Sequence, residues 1–199
     1  MYKRQFLSTE ARNRVVTDVF VPLGRALAAE GVHYVGVLYA GLMVTADGPK
    51  VLEFNCRFGD PEAQAILPRL RTPLGRLVGA AAHGRLGDEP PALEWTPEAC
   101  VTVVTASPGY PEVPRTGEPI EGLGEAASLP GVHVFHSGTS ASRGRVLTAG
   151  GRVLAVTALG DGLDDARGRA YEAVARIRFD GMQYLRDIAA HDRTGAMDG

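Results

Sequence analysis

Cysteine is scarce in this 199-residue chain: Cys56 and Cys100 are the only two, far apart and in unrelated contexts. That scarcity argues against a disulfide framework or a four-ligand zinc site and fits a reducing cytoplasm. A charge excess is missing too. The formal net charge is −2, so nothing electrostatic points to nucleic acid or an anionic membrane as a partner. No apolar run approaches the roughly 18 residues that a membrane-spanning helix needs, and the opening residues carry no signal-peptide h-region. There is no internal repeat, zinc spacing, nucleophile elbow or dinucleotide-binding loop. What is present is ordinary globular composition, 45% hydrophobic and 22% charged, in a length that suits one large domain or two small ones.

Val15, Val16, Val19, Leu23 and Leu27 recur at helical spacing and predict a helix over 8–30, closed by Gly31 and kinked or restarted at Pro22. The run from Tyr34 to Val44 is rich in β-formers and reads as a strand buried on both faces. Asp47-Gly48 marks a turn, and Lys50 to Asn55 completes a hairpin. Pro61 opens a helix to Arg69, and Leu74, Leu77, Val78 and Ala81 form one face of another. The Gly-, Pro- and acid-rich stretch 85–97 holds the only tryptophan and reads as a linker. Beyond it, 99–106, 132–136, 145–148 and 152–159 predict strands, with Gly150-Gly151 turning between the last two. An amphipathic helix is predicted over 161–177. The domain boundaries that follow are a basic scar at 1–5, a first domain at 6–88, a linker at 89–98, a second domain at 99–190 and a frayed tail at 191–199.

The densest chemistry lies between Glu53 and Glu62. Side chains alternate faces along a strand, so Glu53, Asn55 and, if the strand continues, Arg57 point the same way. Leu52, Phe54 and Cys56 then face a core, Cys56 as a small core residue. Two hard oxygen donors beside a guanidinium suit Mg²⁺ with bound phosphate. The same residues also suit a solvated surface or a loop-fixing ion pair. Asp60 and Glu62 sit at the mouth of a helix, where an acid favours the helix dipole in any case. Arg115 and Arg152 adjoin glycines and either fork onto phosphate or fix loops. His136, at a strand end, is either a substrate contact or structural. His33 and His83 read as surface or capping residues, and Gly59, Gly109 and Gly151 as conformational requirements.

Tyr39-Ala-Gly-Leu-Met43 followed by Glu53-Phe-Asn-Cys-Arg-Phe-Gly-Asp-Pro-Glu-Ala-Gln64 resembles the signature of the phosphoribosylamine–glycine ligases, a family of the ATP-grasp superfamily. Gly109-Tyr-Pro111, Arg115-Thr-Gly117, Val134-Phe-His136 with Gly138-Thr139, and Gly150-Gly-Arg-Val-Leu154 leading to Thr157-Ala-Leu-Gly160 extend the resemblance over nearly the whole chain. It implies an α/β (α+β) fold: the C-terminal lobe of an ATP-grasp fold, with antiparallel sheet and helices, then a small β-rich domain. It implies that Glu53 and Asn55 hold the Mg²⁺ or Mn²⁺ that bridges ATP phosphates. Arg57 would contact phosphate or acyl phosphate, and Asp60 and Glu62 would lie near glycine or 5-phosphoribosylamine. Arg57 and Asp60 are the candidate catalytic residues. Arg115, His136 and Arg152 join the candidate substrate contacts.

The resemblance also implies what is not here. The family carries an N-terminal α/β domain and a nucleotide-covering lobe with a lysine and a glycine-rich loop. This chain has only Lys3 and Lys50, neither in such a setting, and the run from Tyr34 to Val44 offers no further acidic ligand. The expectation is a chain inactive alone, marginally stable or self-associating, whose partner is the missing N-terminal half. A non-catalytic binding or assembly module, such as one half of a split enzyme, is the alternative.

Overall fold

The computed structural model describes residues 9–45 and 47–190. The predicted scar, the start of the first helix and the predicted tail lie outside the described residues. The chain divides into two compact units. One takes the residues up to Gly59 with Thr72–Leu93; the other takes Asp60–Arg71 with the residues from Glu94 onward.

The first unit opens with α1 (Thr9–Val15), a π-turn (Val16–Phe20) and α2 (Val21–Ala29). Pro22 lies at the start of α2 and has no N–H to give to the carbonyl four residues back. The π-turn ahead of it, where the Val21 N–H reaches back to Val16 O, absorbs the mismatch. Val15, Val19, Leu23 and Leu27 form the covered stripe, whereas Val16 is exposed. Gly31, at φ +70°, ends the helix. Strands β1 (Tyr39–Thr45) and β2 (Gly48–Asn55) form the expected antiparallel hairpin. The strand read from Tyr34 is shorter than expected. Gly36, at φ +144°, leaves the extended region, and the Tyr34 hydroxyl donates to Val37 O at 2.8 Å, curling the segment into a loop.

The expectation that the Tyr34–Val44 strand is buried on both faces is corrected, and so is the core-facing assignment of Leu52, Phe54 and Cys56. Leu52 is 60% exposed, Phe54 is 42% exposed and Cys56 is exposed. A two-stranded ribbon with one helix packed on it cannot cover both faces. The unit also contains α4 (Leu74–Ala82), where Ala80 is buried and Val78 is exposed, against the predicted face.

The second unit is built on a three-stranded antiparallel sheet in the order β3 (Ala99–Ala106), β7 (Arg152–Gly160), β4 (Val132–His136). Central β7 is buried from Val153 to Ala158. Helices α5 (Leu123–Ala127) and α6 (Leu163–Arg176) contribute Ala126, Ala166, Ala170, Ala173 and Val174 to one core with Val101, Val103, Val156 and Ala158. Fully burying Leu154 and Ile177 contributes about 2 kcal/mol each. On the opposite sheet face, Thr102 and Thr157 pair across the strands at 2.8 Å, and Thr157 donates to the backbone of α3 (Glu62–Ile66). A 3-10 turn, Leu67–Arg69, follows α3, so the helix predicted from Pro61 starts one residue later and tightens early.

The Gly150-Gly151 hairpin is also corrected. β6 (Arg145–Thr148) pairs not with β7 but with β5 (Thr139–Ser142), a strand that sequence reading misses. β5 is a polar Thr-Ser-Ala-Ser run on an exposed ribbon, so no apolar alternation announces it. After α6 the chain makes a single bridge from Arg178 to Glu121, ahead of α5, and another from Gln183 to Ala106 at the end of β3. It is fastened by the Tyr171 hydroxyl, which donates to Leu185 O at 2.7 Å and accepts from Ile188 N at 3.0 Å.

Candidate active site

In the first unit the strand alternation places Glu53 and Asn55 on one face, as expected. The Asn55 amide donates to Glu53 Oε1 at 3.0 Å. The register jumps beside Glu53: Gly41 opposes Glu53 while Leu42 opposes Val51, leaving Leu52 as a bulge in β2. Gly41 makes room for this arrangement, since a Cβ there would lie 3.0 Å from Glu53 Cγ. β2 ends at Asn55, so Arg57 is off the strand; its guanidinium donates to Phe58 O at 2.9 Å and is otherwise exposed. Alongside, a hydrogen bond with Cys56 raises the Tyr34 phenol above its ordinary value.

Among the described residues no group of three or more His, Cys, Asp or Glu side chains gathers to hold a metal ion. The Glu53–Asn55 pair nevertheless fits a Mg²⁺-type ion. Its hydrogen bond uses the amide nitrogen and one carboxylate oxygen, which leaves the amide oxygen and the second carboxylate oxygen as hard donors. Two protein oxygens are what such an ion takes when phosphate and water complete its shell.

The second unit gathers a different set. Arg152 donates from Nη1 to the Asp60 backbone oxygen at 2.7 Å and pairs from Nη2 with Asp60 Oδ2 at 3.1 Å. Gln64 Nε2 donates to Asp60 Oδ1 at 2.9 Å. Glu62 lies in the first turn of α3, half-buried. Arg152 follows Gly150 and Gly151, and this corner is tight: a Cβ on Gly151 would lie 2.4 Å from the Tyr110 ring. The stretches Gly109-Tyr-Pro111 and Gly150-Gly-Arg152 thus meet in space. Ser107 ties them further, its N–H to Gly151 O at 2.8 Å and its hydroxyl to Gly150 O at 2.9 Å.

Arg115 and His136 do not join Asp60 and Arg152 in this network. Arg115 pairs with Glu118 at 3.3 Å and with Asp180. His136 Nδ1 lies 2.9 Å from the Thr139 hydroxyl, at the exposed end of β4. Gly41 and Gln64 lie in the signature stretches but were given no role among the candidate site residues. For Gln64 a signal existed: Asp and Gln four residues apart bond when the chain between them turns as a helix.

Residues 2–63 match the family "Phosphoribosylglycinamide synthetase, ATP-grasp (A) domain", and residues 100–191 match "Phosphoribosylglycinamide synthetase, C domain". The phosphoribosylamine–glycine ligase of Leifsonia xyli is 54% identical over 180 residues, covering 89% of this chain and 43% of that protein. The enzyme of the same name from Streptomyces coelicolor is 53% identical over the same shares. The chain belongs to the phosphoribosylamine–glycine ligase family. The crystal structure of the Thermotoga maritima ligase superposes with a TM-score of 0.76 at 31% identity, covering 92% of this chain and 44% of that one. The N5-carboxyaminoimidazole ribonucleotide synthetase of Thermotoga maritima, at 16% identity and a TM-score of 0.57, shares the fold.

The chain spans less than half the length of these ligases. Glu53, Asn55, Arg57, Asp60 and Glu62 fall inside the ATP-grasp match, and Arg115, His136 and Arg152 inside the C-domain match. The described residues contain no helix long and apolar enough to cross a membrane.

Proposed function

We propose that this chain supplies the metal and phosphate side of a ligase that joins glycine to 5-phosphoribosylamine in de novo purine biosynthesis, in the cytoplasm. ATP, glycine and 5-phosphoribosylamine give ADP, phosphate and glycinamide ribonucleotide. Glycine carboxylate first takes the terminal phosphoryl group of ATP to form glycyl phosphate. The amine of phosphoribosylamine then attacks the acyl carbon, losing a proton as phosphate leaves. The nucleophile belongs to the substrate.

The observation that carries this reading is the Glu53–Asn55 pair, aligned by the Leu52 bulge and the Gly41 gap inside the ATP-grasp match. Glu53 and Asn55 would hold Mg²⁺ or Mn²⁺ through their oxygens. When bound, such an ion neutralises charge on the phosphate oxygens. The exposed Arg57 guanidinium would stabilise the same charge from the protein side. Asp60 and Glu62 would meet the amine-bearing substrates. Of the arginines, Arg152 is the better placed to join them, because it already grips Asp60. Arg115 is committed to two carboxylates, which favours a loop-fixing role. His136, exposed and free to turn one ring nitrogen outward, remains a candidate contact.

The partner is an N-terminal portion of the ligase, and the exposed Leu52 and Phe54 are the apolar surface it would cover. The test is the chain joined to that portion, taken from a relative. Replacing Glu53 and Asn55 together by alanine should lower turnover at least about a hundredfold. Full activity in that double variant would remove the metal assignment.

A further inference from the structure

Asp60 is held from three sides within its own unit. Gln64 Nε2 reaches one carboxylate oxygen at 2.9 Å, Arg152 Nη2 reaches the other at 3.1 Å, and Arg152 Nη1 takes the backbone oxygen at 2.7 Å. Gln64 is itself anchored from below. Its carbonyl accepts from the Thr157 hydroxyl at 3.2 Å, and Thr157 lies 2.8 Å from the Thr102 hydroxyl. Since the Thr157 proton goes to Gln64, Thr102 is the donor between the two threonines. The network therefore runs from the sheet through α3 to the carboxylate.

The Gln64 amide pays for this with its other end. Oε1 is buried and has no hydrogen-bond partner. An unpaired buried acceptor costs about 1–3 kcal/mol, which an aliphatic side chain of the same length would avoid. The bond to Asp60 is what the amide adds. Turning the amide over would set its oxygen against a carboxylate oxygen, so Asp60 also fixes the amide's orientation.

The fixed pair remains reachable, with the Asp60 side chain 45% and the Arg152 side chain 38% exposed. An anion and a guanidinium with spare N–H donors stand side by side. Their complement is a small zwitterion with an ammonium group and a carboxylate one carbon apart.

Resting on the ligase reading above, we infer that Gln64 is a positioning residue that holds the Asp60–Arg152 pair in register for glycine. The test uses the chain joined to its N-terminal portion, with KM measured for each substrate. Gln64→Met should raise KM for glycine about tenfold while KM for ATP and for phosphoribosylamine stays within about twofold. Gln64→Glu guards against a variant that fails to fold. At neutral pH its added carboxylate repels Asp60; as the pH is lowered it gains a proton, donates again, and KM for glycine should recover towards the parent value. A purely structural role would show no such recovery. Asp60→Asn separates the two levels of the claim. If it leaves KM for glycine unchanged, the placement of glycine at Asp60 is wrong and the inference falls with it. If it raises KM for glycine while a folded Gln64→Met does not, or if KM for phosphoribosylamine rises instead, the role of Gln64 alone is overturned.

Discussion

A methyl group at position 41 would sit 3.0 Å from Cγ of Glu53, closer than the carboxylate arm tolerates without moving. Gly41→Ala should therefore shift Glu53 rather than unfold the hairpin. In the joined ligase the Mg²⁺ concentration for half-maximal activity should rise about tenfold, as when groups supporting a metal ligand are disturbed. An unchanged Mg²⁺ dependence would separate Gly41 from the metal pair. Gly151 is the contrasting case. Its missing Cβ would collide with the Tyr110 ring at 2.4 Å in a tightly bonded corner, so Gly151→Ala should destabilise by about 1–3 kcal/mol, read from the urea midpoint. The candidate pair itself was legible, because a period of two puts Glu53 and Asn55 on one face of any strand. The glycine opposite Glu53 was not, because cross-strand register depends on the Leu52 bulge, and no local pattern announces a bulge.

Elements with an apolar pattern were readable: α6, whose Ala166, Ala170 and Ala173 recur on one side, and β7, with its apolar run from Val153 to Val156. Elements that make their bonds without burial were not. β5 is one such case, and the misreading of Gly150-Gly151 follows from it, since β6 finds its partner in a polar strand. The return segment after α6 is missed for another reason: it adds Phe179 and Ala189 to the core with neither helix nor strand periodicity. It is held by the Tyr171 hydroxyl, which serves Leu185 O and Ile188 N together. Tyr171→Phe leaves that N–H and that carbonyl without their partner and should cost about 1–3 kcal/mol. Amide exchange should speed up across 185–190 more than in β7. Uniform exchange through both regions would mean that the segment is held by packing instead.

The whole second unit should weaken at alkaline pH. Burial pushes the Cys100 thiol up to about 11 from 9.0, and burial also raises the Tyr171 phenol above 10.0. Both groups fold in their protonated forms. Their contribution is intact below the unfolded values and is lost as pH climbs through the folded ones, so stability should fall between about pH 9 and 11. Cys100→Ala should flatten that fall in a urea titration. One hairpin presents a carboxylate and an amide, one corner presents a fixed Asp60–Arg152 pair, and the chain spans less than half of its relatives. The most direct test supplies the remainder. The chain is assayed for glycinamide ribonucleotide alone, and again when joined to the N-terminal portion of the Leifsonia xyli ligase. The account predicts no product from the chain alone and ATP-dependent product from the joined protein. Turnover by the chain alone, or a folded joined protein that makes no product, would contradict it.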